Sequence, residues 1–157
     1  RRRLAKLSEI GRENDRLLEA TRITILALLK AKSPNEIGQI WCEQIILSFG
    51  SEYAALHWYA RAGLNTANIC PEAEMLVRKL ITRENSVSGS FRAEEMQLLF
   101  SEELKAGSAA IAGIYRGEEI IGCIAVGSND ARRYRPEDGT LFLDYLAEVI
   151  SQLPACQ

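Results

Sequence analysis

Ser108-Ala109-Ala110-Ile111-Ala112-Gly113-Ile114-Tyr115-Arg116-Gly117-Glu118-Glu119-Ile120-Ile121-Gly122-Cys123-Ile124-Ala125-Val126 is a pair of apolar runs about Arg116-Gly117. The runs 108–115 and 119–126 have strand length, and the glycine between them marks a tight hairpin. A hairpin implies an antiparallel sheet. Working outward, Tyr53 to Arg61 reads as another strand, rich in aromatic and small residues. Ala62-Gly63-Leu64-Asn65 reads as a turn, and Thr66 to Cys70 as a short strand after it. Pro71 opens a helix to about Ile81. Arg83 to Ser90, with Glu, Asn, Ser and Gly crowded together, is a loop signal. Arg92 to Phe100 reads as a short helix. Gly127-Ser128-Asn129-Asp130 is a loop. Pro136 opens a C-terminal helix to about Leu153, with a broad apolar face from Leu141, Phe142, Tyr145, Leu146 and Val149.

Two helices precede the first strand. Ser33-Pro34-Asn35-Glu36 reads as a capping box with proline at the first helical position. The helix it opens carries Ile37, Ile40, Trp41, Ile45 and Leu47 at helical spacing and closes at Phe49-Gly50. Leu4 to Ala31 has no proline and many helix formers. In heptads, Leu4, Gly11, Leu18 and Ile25 fall at one core position and Leu7, Asn14, Thr21 and Leu28 at the other. This predicts a coiled coil pairing two copies through Leu4, Leu7, Asn14, Leu18, Thr21 and Ile25, with Asn14 able to fix register. The alternative is an amphipathic helix packed on its own domain.

The element order is helix, helix, strand, strand, helix, helix, strand, strand, helix. The fold class is α+β: an antiparallel sheet flanked by helices and preceded by a long N-terminal helix. Residues 1–32 form that helix, and residues 33–157 form the domain. Helices from the two ends of the chain can cover one sheet face. The middle helices and the 83–90 loop would cover the other, or leave a pocket there.

Length and composition bound the function. The 157 residues suffice for one domain with a real core. Apolar residues make up 47% and charged residues 25%, an ordinary globular balance that excludes disordered and collagen-like chains. Net charge is −2, so nucleic acid is not expected as a partner. The charge is uneven, however. Residues 1–32 carry 9 basic and 4 acidic groups, whereas residues 33–157 carry 10 and 17. No apolar run is long enough to span a bilayer. Arg1-Arg2-Arg3 does not open a signal peptide, because Glu9, Glu13, Asp15 and Glu19 stand where its apolar region belongs. A chain that starts on Arg1 rather than Met is expected to be a fragment, a processed form or an ordered part of something longer. Cys42, Cys70, Cys123 and Cys156 form no C-x-x-C pair, and with a single histidine no metal site is expected. Cysteines placed in this way suit a reducing, cytoplasmic compartment.

The strand 118–128 with its Gly127-Ser128 exit resembles the penultimate strand of GAF domains. Asp130, Arg133-Tyr134 and Pro136-Glu137-Asp138 resemble the loop and helix start that close them. More narrowly, the chain resembles the bacterial domain of unknown function family number 484. The resemblance lies in Arg12-Glu13-Asn14-Asp15-Arg16-Leu17, Leu99-Phe100, Ser108-Ala109-Ala110, Gly127-Ser128-Asn129-Asp130 and Gly139-Thr140 with Phe142-Leu143. It implies a GAF-like fold after a helical region, with no established activity. Asp138 departs from it, standing where an apolar residue is expected.

His57, mid-strand on the face of Ala55 and Tyr59, is either a ligand contact or a satisfied sheet histidine. No nucleophile motif stands beside it. Cys70, before a helix, is the best-placed thiol for a redox enzyme of GAF fold. Ser86-Val87-Ser88-Gly89-Ser90 offers backbone amides to an anion but is no P-loop. Arg132-Arg133-Tyr134-Arg135 could touch phosphate, or lie solvated. The signature of cyclic-nucleotide-binding GAF domains is absent. A pocket drawing on His57, Tyr59, Arg83, Ser88 and Ser108 for an unidentified small molecule is therefore expected, without a cofactor and without catalysis. The first strand's alternation leaves open whether His57 and Tyr59, or Leu56 and Trp58, face it. The rival readings are an interaction scaffold with a vestigial pocket and a thiol-dependent redox enzyme.

Overall fold

The computed structural model describes residues 2–64, 66, 69–81, 86–136 and 140–157. In order these form α1 (Arg2–Leu28), α2 (Pro34–Phe49), β1 (Tyr53–Trp58), a 3-10 turn (Ala60–Ala62), α3 (Pro71–Leu80), β2 (Ser86–Phe91), α4 (Ala93–Phe100), β3 (Gly107–Arg116), β4 (Glu119–Ser128), α5 (Leu141–Gln152) and a closing 3-10 turn (Pro154–Cys156). The strands make one antiparallel sheet in the order β1-β4-β3-β2. The central pair is the hairpin, turned at Gly117 with φ 66°. A bulge follows Ile114, so that Ile114 faces Gly122 while Tyr115 faces Ile120.

Both faces of the sheet are covered, which is why the hairpin strands are apolar throughout rather than alternating. Leu56, Trp58, Ala110, Ala112, Ile114, Ile124 and Val126 pack with residues of α1, α2 and α5. Ala55, Ala109, Ile111, Cys123 and Ala125 pack with residues of α3 and α4. The chain-end helices thus share one face and the middle helices the other, as the element order predicts. Trp41 of α2 anchors the first layer: its ring is fully buried and its Nε1–H donates to the Ala55 carbonyl at 2.9 Å.

The α2 start follows its capping sequence. Ser33 Oγ accepts the Glu36 amide at 3.2 Å, and the Glu36 carboxylate accepts the Lys32 amide at 2.6 Å. Gly50, at φ 67°, ends the helix. Helix α1 joins the domain through its second half. Ala20, Thr24 and Leu28 are buried at four-residue spacing, and Thr24 Oγ1 donates back to the Ala20 carbonyl at 2.8 Å. Leu28, a heptad core position, therefore faces the protein's own core. Leu4, Leu7 and Leu18 remain exposed.

Four expected elements differ. β1 stops at Trp58 and the chain coils into the Ala60–Ala62 turn. Among the described residues of 66–70, Ile69 makes a single parallel bridge to Trp58 and no strand forms. Of the expected loop from Arg83 to Ser90, Ser86 onward forms the edge strand β2, Ser86–Phe91. Its serines suit this edge because their hydroxyls bond to the neighbouring 131–144 segment. Helix α5 begins at Leu141, not at Pro136, since the chain up to Arg135 is held along β2. Asp138 lies outside the described residues.

Candidate functional site

The residues expected at a pocket are spread over both layers. His57 points toward α4, where its Nε2 lies 2.6 Å from the Leu99 carbonyl, and it is buried. A neutral ring with the proton on Nε2 satisfies one of the carbonyls that a helix C-terminus leaves free. Burial pulls its pKa below the ordinary value of 6.5, against the opposing effect of that hydrogen bond. Tyr59 lies on the same face, with the Arg78 guanidinium 5.5 Å from its ring centre. Burial, then the neighbouring Cys123, raises its hydroxyl pKa. Ser88 and Ser108 lie at the other end of the sheet, on β2 and β3, bonded to the loop that follows β4. Arg83 lies outside the described residues. The structure brings His57 near Tyr59 and Ser88 near Ser108, but does not gather the four.

Two cavities flank the sheet. The first, about 350 Å³, opens at the free edge of β1 between α2 and α4. His57, Cys42 and Cys70 line it, with Leu99, Phe100 and Ser101. Cys42 Sγ donates to the Ala54 carbonyl at 3.5 Å, and burial pushes its thiol pKa up. That shift is opposite in direction to the one that activates a nucleophile. Cys123 is pushed up to about 12 by burial, and Cys156 is also raised by burial.

The second cavity, about 560 Å³, lies at the hairpin end of β3, beyond Ala112, the partner of Ser86, the first described residue of β2. Tyr115 and Glu118 from the hairpin face Asp144, Glu148, Ser151 and Gln152 from α5. These α5 residues recur at four- and seven-residue intervals, so they share one face of the helix. That polar stripe beside the apolar one was the available sequence signal. Tyr115 lies across Gly113, where a Cβ would come 2.7 Å from the ring. Burial and then the charge of Asp144 raise the Tyr115 pKa. Asp144 is held by Ser86, whose hydroxyl donates to Oδ2 at 3.1 Å. Its Oδ1 is buried without a partner among the described residues. No lysine or arginine is among the described residues that line this cavity.

A serine-bonded loop closes the opposite end of the sheet. Ser88 Oγ donates to the Arg135 carbonyl at 2.6 Å, and Ser90 Oγ to the Ala131 carbonyl at 3.0 Å. Ser108 Oγ donates to the Asp130 carbonyl at 2.6 Å and accepts the Tyr134 amide at 3.1 Å. The Glu52 carboxylate accepts from Ser128 Oγ at 2.6 Å and from Asn129 Nδ2 at 2.8 Å. The Ser128 hydrogen bond is the main cause of its pKa lying below 4.5. Sequence reading missed Glu52, which has no local motif.

An apolar groove of about 650 Å³ runs between α1 and α5, lined by Leu18, Thr21, Arg22, Ile25, Leu141, Phe142 and Tyr145. It continues into a second hollow of about 300 Å³ beside Leu29, Val149 and Leu153, which shares Tyr145 with the groove. Leu18 lies near Leu141, and Leu29 near Val149 and Leu153, so the two helices run side by side in the same direction. Glu148 and Gln152 border both this hollow and the 560 Å³ cavity, so α5 separates the two. No group of three or more metal-ligating side chains occurs among the described residues. No described helix is long and apolar enough to cross a membrane.

A family model described as "Protein of unknown function, DUF484" matches residues 1–154. Among solved structures, the chain is similar to the GAF domain of an Acinetobacter phosphoenolpyruvate-protein phosphotransferase. The two share 16% identity at a TM-score of 0.55, over 85% of this chain and 89% of that one. At that identity the likeness shows the fold alone, and the fold is GAF-like. No curated protein matches.

Proposed function

The chain belongs to the DUF484 family of unknown function, and from that premise we propose that it is a cytoplasmic, GAF-like small-molecule-sensing or regulatory module, non-catalytic and homodimeric through its N-terminal helix. The supporting observation is the position of α5. One side of this helix walls the 560 Å³ cavity, and another side forms the groove with α1. A molecule seated against Tyr115, Asp144 and Glu148 changes how α5 sits, and so alters the surface that α1 and α5 offer to a second copy. Such a ligand shifts the helix arrangement by its differential affinity for the two states. The lining favours a polar, hydrogen-bond-donating molecule. The raised thiol pKa values of Cys42, Cys123 and Cys156 speak against those three as nucleophiles.

The exposed apolar groove also supports a second reading, an interaction scaffold whose cavities are vestigial. Native mass spectrometry of the purified protein, before and after mild denaturation, separates the two. One small molecule per protomer, lost on denaturation and lost from a Glu148→Ala variant, is the expected result. A clean apo dimer that binds nothing from a metabolite library refutes sensing and leaves the scaffold.

A further inference from the structure

Helix α1 has two unlike halves. Its 27 residues span about 40 Å at roughly 1.5 Å per residue. In the first half, every described side chain from Arg3 to Arg16 is exposed, Leu4 at 73% and Leu7 at 65% among them. The second half packs on the domain through Ala20, Thr24 and Leu28. The apolar groove lies beside the second half alone. One end of the helix thus carries exposed leucines and no groove, and the other end carries the groove.

We propose that a second copy of this chain docks antiparallel, each protomer laying the free first half of its α1 in the α1–α5 groove of the other. The inference rests on the homodimer reading above and supplies its geometry. A parallel pair sets groove on groove and leaves each Gly11 facing its own copy, a gap in the seam. An antiparallel pair sets the heptad positions across one another: Leu7 on Ile25 beside Tyr145, Gly11 on Thr21, and Asn14 on Leu18. Leu4 then reaches Leu29 and the second hollow. The arrangement is self-complementary, as a two-fold interface must be, and fills both grooves at once.

Charge agrees. Residues 1–32 carry 9 basic and 4 acidic groups, with Arg1-Arg2-Arg3 at the start. Antiparallel docking carries that basic end to the end of the partner's groove, where Glu148 partly offsets Lys30. Parallel docking brings two basic ends together. Opposite potentials guide partners and disfavour the wrong orientation.

Sedimentation velocity on the full chain tests this with Leu7→Lys, Tyr145→Glu and the double variant carrying both. Both positions are exposed, at 65% and 51%, so neither change disturbs the core. Each single variant is expected to weaken the dimer about tenfold or more. The double variant is expected to recover to within a few-fold of the parent, because the introduced ammonium of one copy then meets the introduced carboxylate of the other. Leu4→Lys with Leu29→Glu repeats the test at a second exposed pair, with circular dichroism confirming the fold. A parent dimer whose double variants stay as weak as the singles overturns antiparallel docking and leaves the homodimer standing. A parent that is monomeric at tens of micromolar overturns both.

Discussion

A methyl group on Gly107 would come 2.2 Å from the Ser128 carbonyl oxygen and 3.2 Å from Met96 Cε. The first neighbour is backbone of the adjacent strand and cannot step aside cheaply. Gly107→Ala is expected to cost about 1–3 kcal/mol, read as a lower denaturant midpoint at unchanged slope. His57 sets a different kind of limit. It is the sole histidine of the chain, and its folded pKa lies below 6.5. As pH falls below that value, the unfolded chain takes up a proton that the folded chain resists, so stability declines. The parent should lose stability between pH 7.5 and 5.5, while His57→Gln stays nearly flat over that range in chemical denaturation. Glu52 acts at lower pH. Its depressed pKa stabilises the fold above about 4.5, and the contribution disappears as the carboxylate is protonated below that. The gap in unfolding midpoint between parent and Glu52→Ala should be present at pH 7 and shrink by pH 3. A gap independent of pH would remove the carboxylate from the explanation.

At the scale of elements, β2 is the instructive case. Ser86, Ser88 and Ser90 place their hydroxyls on one side of the strand, each bonded to the segment that leads into α5. Ser88→Ala is expected to cost about 1 kcal/mol. Ser108 is fully buried and bonded twice, so Ser108→Ala should cost about 1–3 kcal/mol. Faster amide exchange confined to residues 128–136 would assign both losses to the loop, and exchange unchanged there would refute the assignment. A run of serines and one glycine reads as loop because those residues compete for local backbone bonds. Here the bonds go to a segment 41 to 54 residues away, which sequence order does not reveal. The hairpin, the α2 cap and the division of helices between two faces were legible, since each follows from local pattern. The site was legible in part. His57 shares a face with Ala55 and Tyr59 as alternation requires, but its partner is a main-chain carbonyl, which leaves no mark in a sequence. Asp144 and Glu148 line a cavity because α5 passes beside the hairpin end of β3, and their four-residue spacing alone does not say so.

For the whole molecule, a homodimer predicts that the thermal midpoint rises with protein concentration, because association stabilises the folded state by mass action. Calorimetry across a hundredfold concentration range measures this, and a midpoint that stays fixed argues for an independent monomer. The fold also brings the first and last helices of the chain into one core, where Leu28 and Ile150 are both fully buried. Synthesis begins at the other end of that relationship. While the chain emerges from the ribosome, α1 and α2 exist long before α5 does. Ile114, Ile124 and Val126 keep one side open to water until the residues of α5 appear. Completion of that layer waits for α5, and a nascent chain stalled before Leu141 presents an unfinished apolar face to whatever chaperone or sibling chain is nearest.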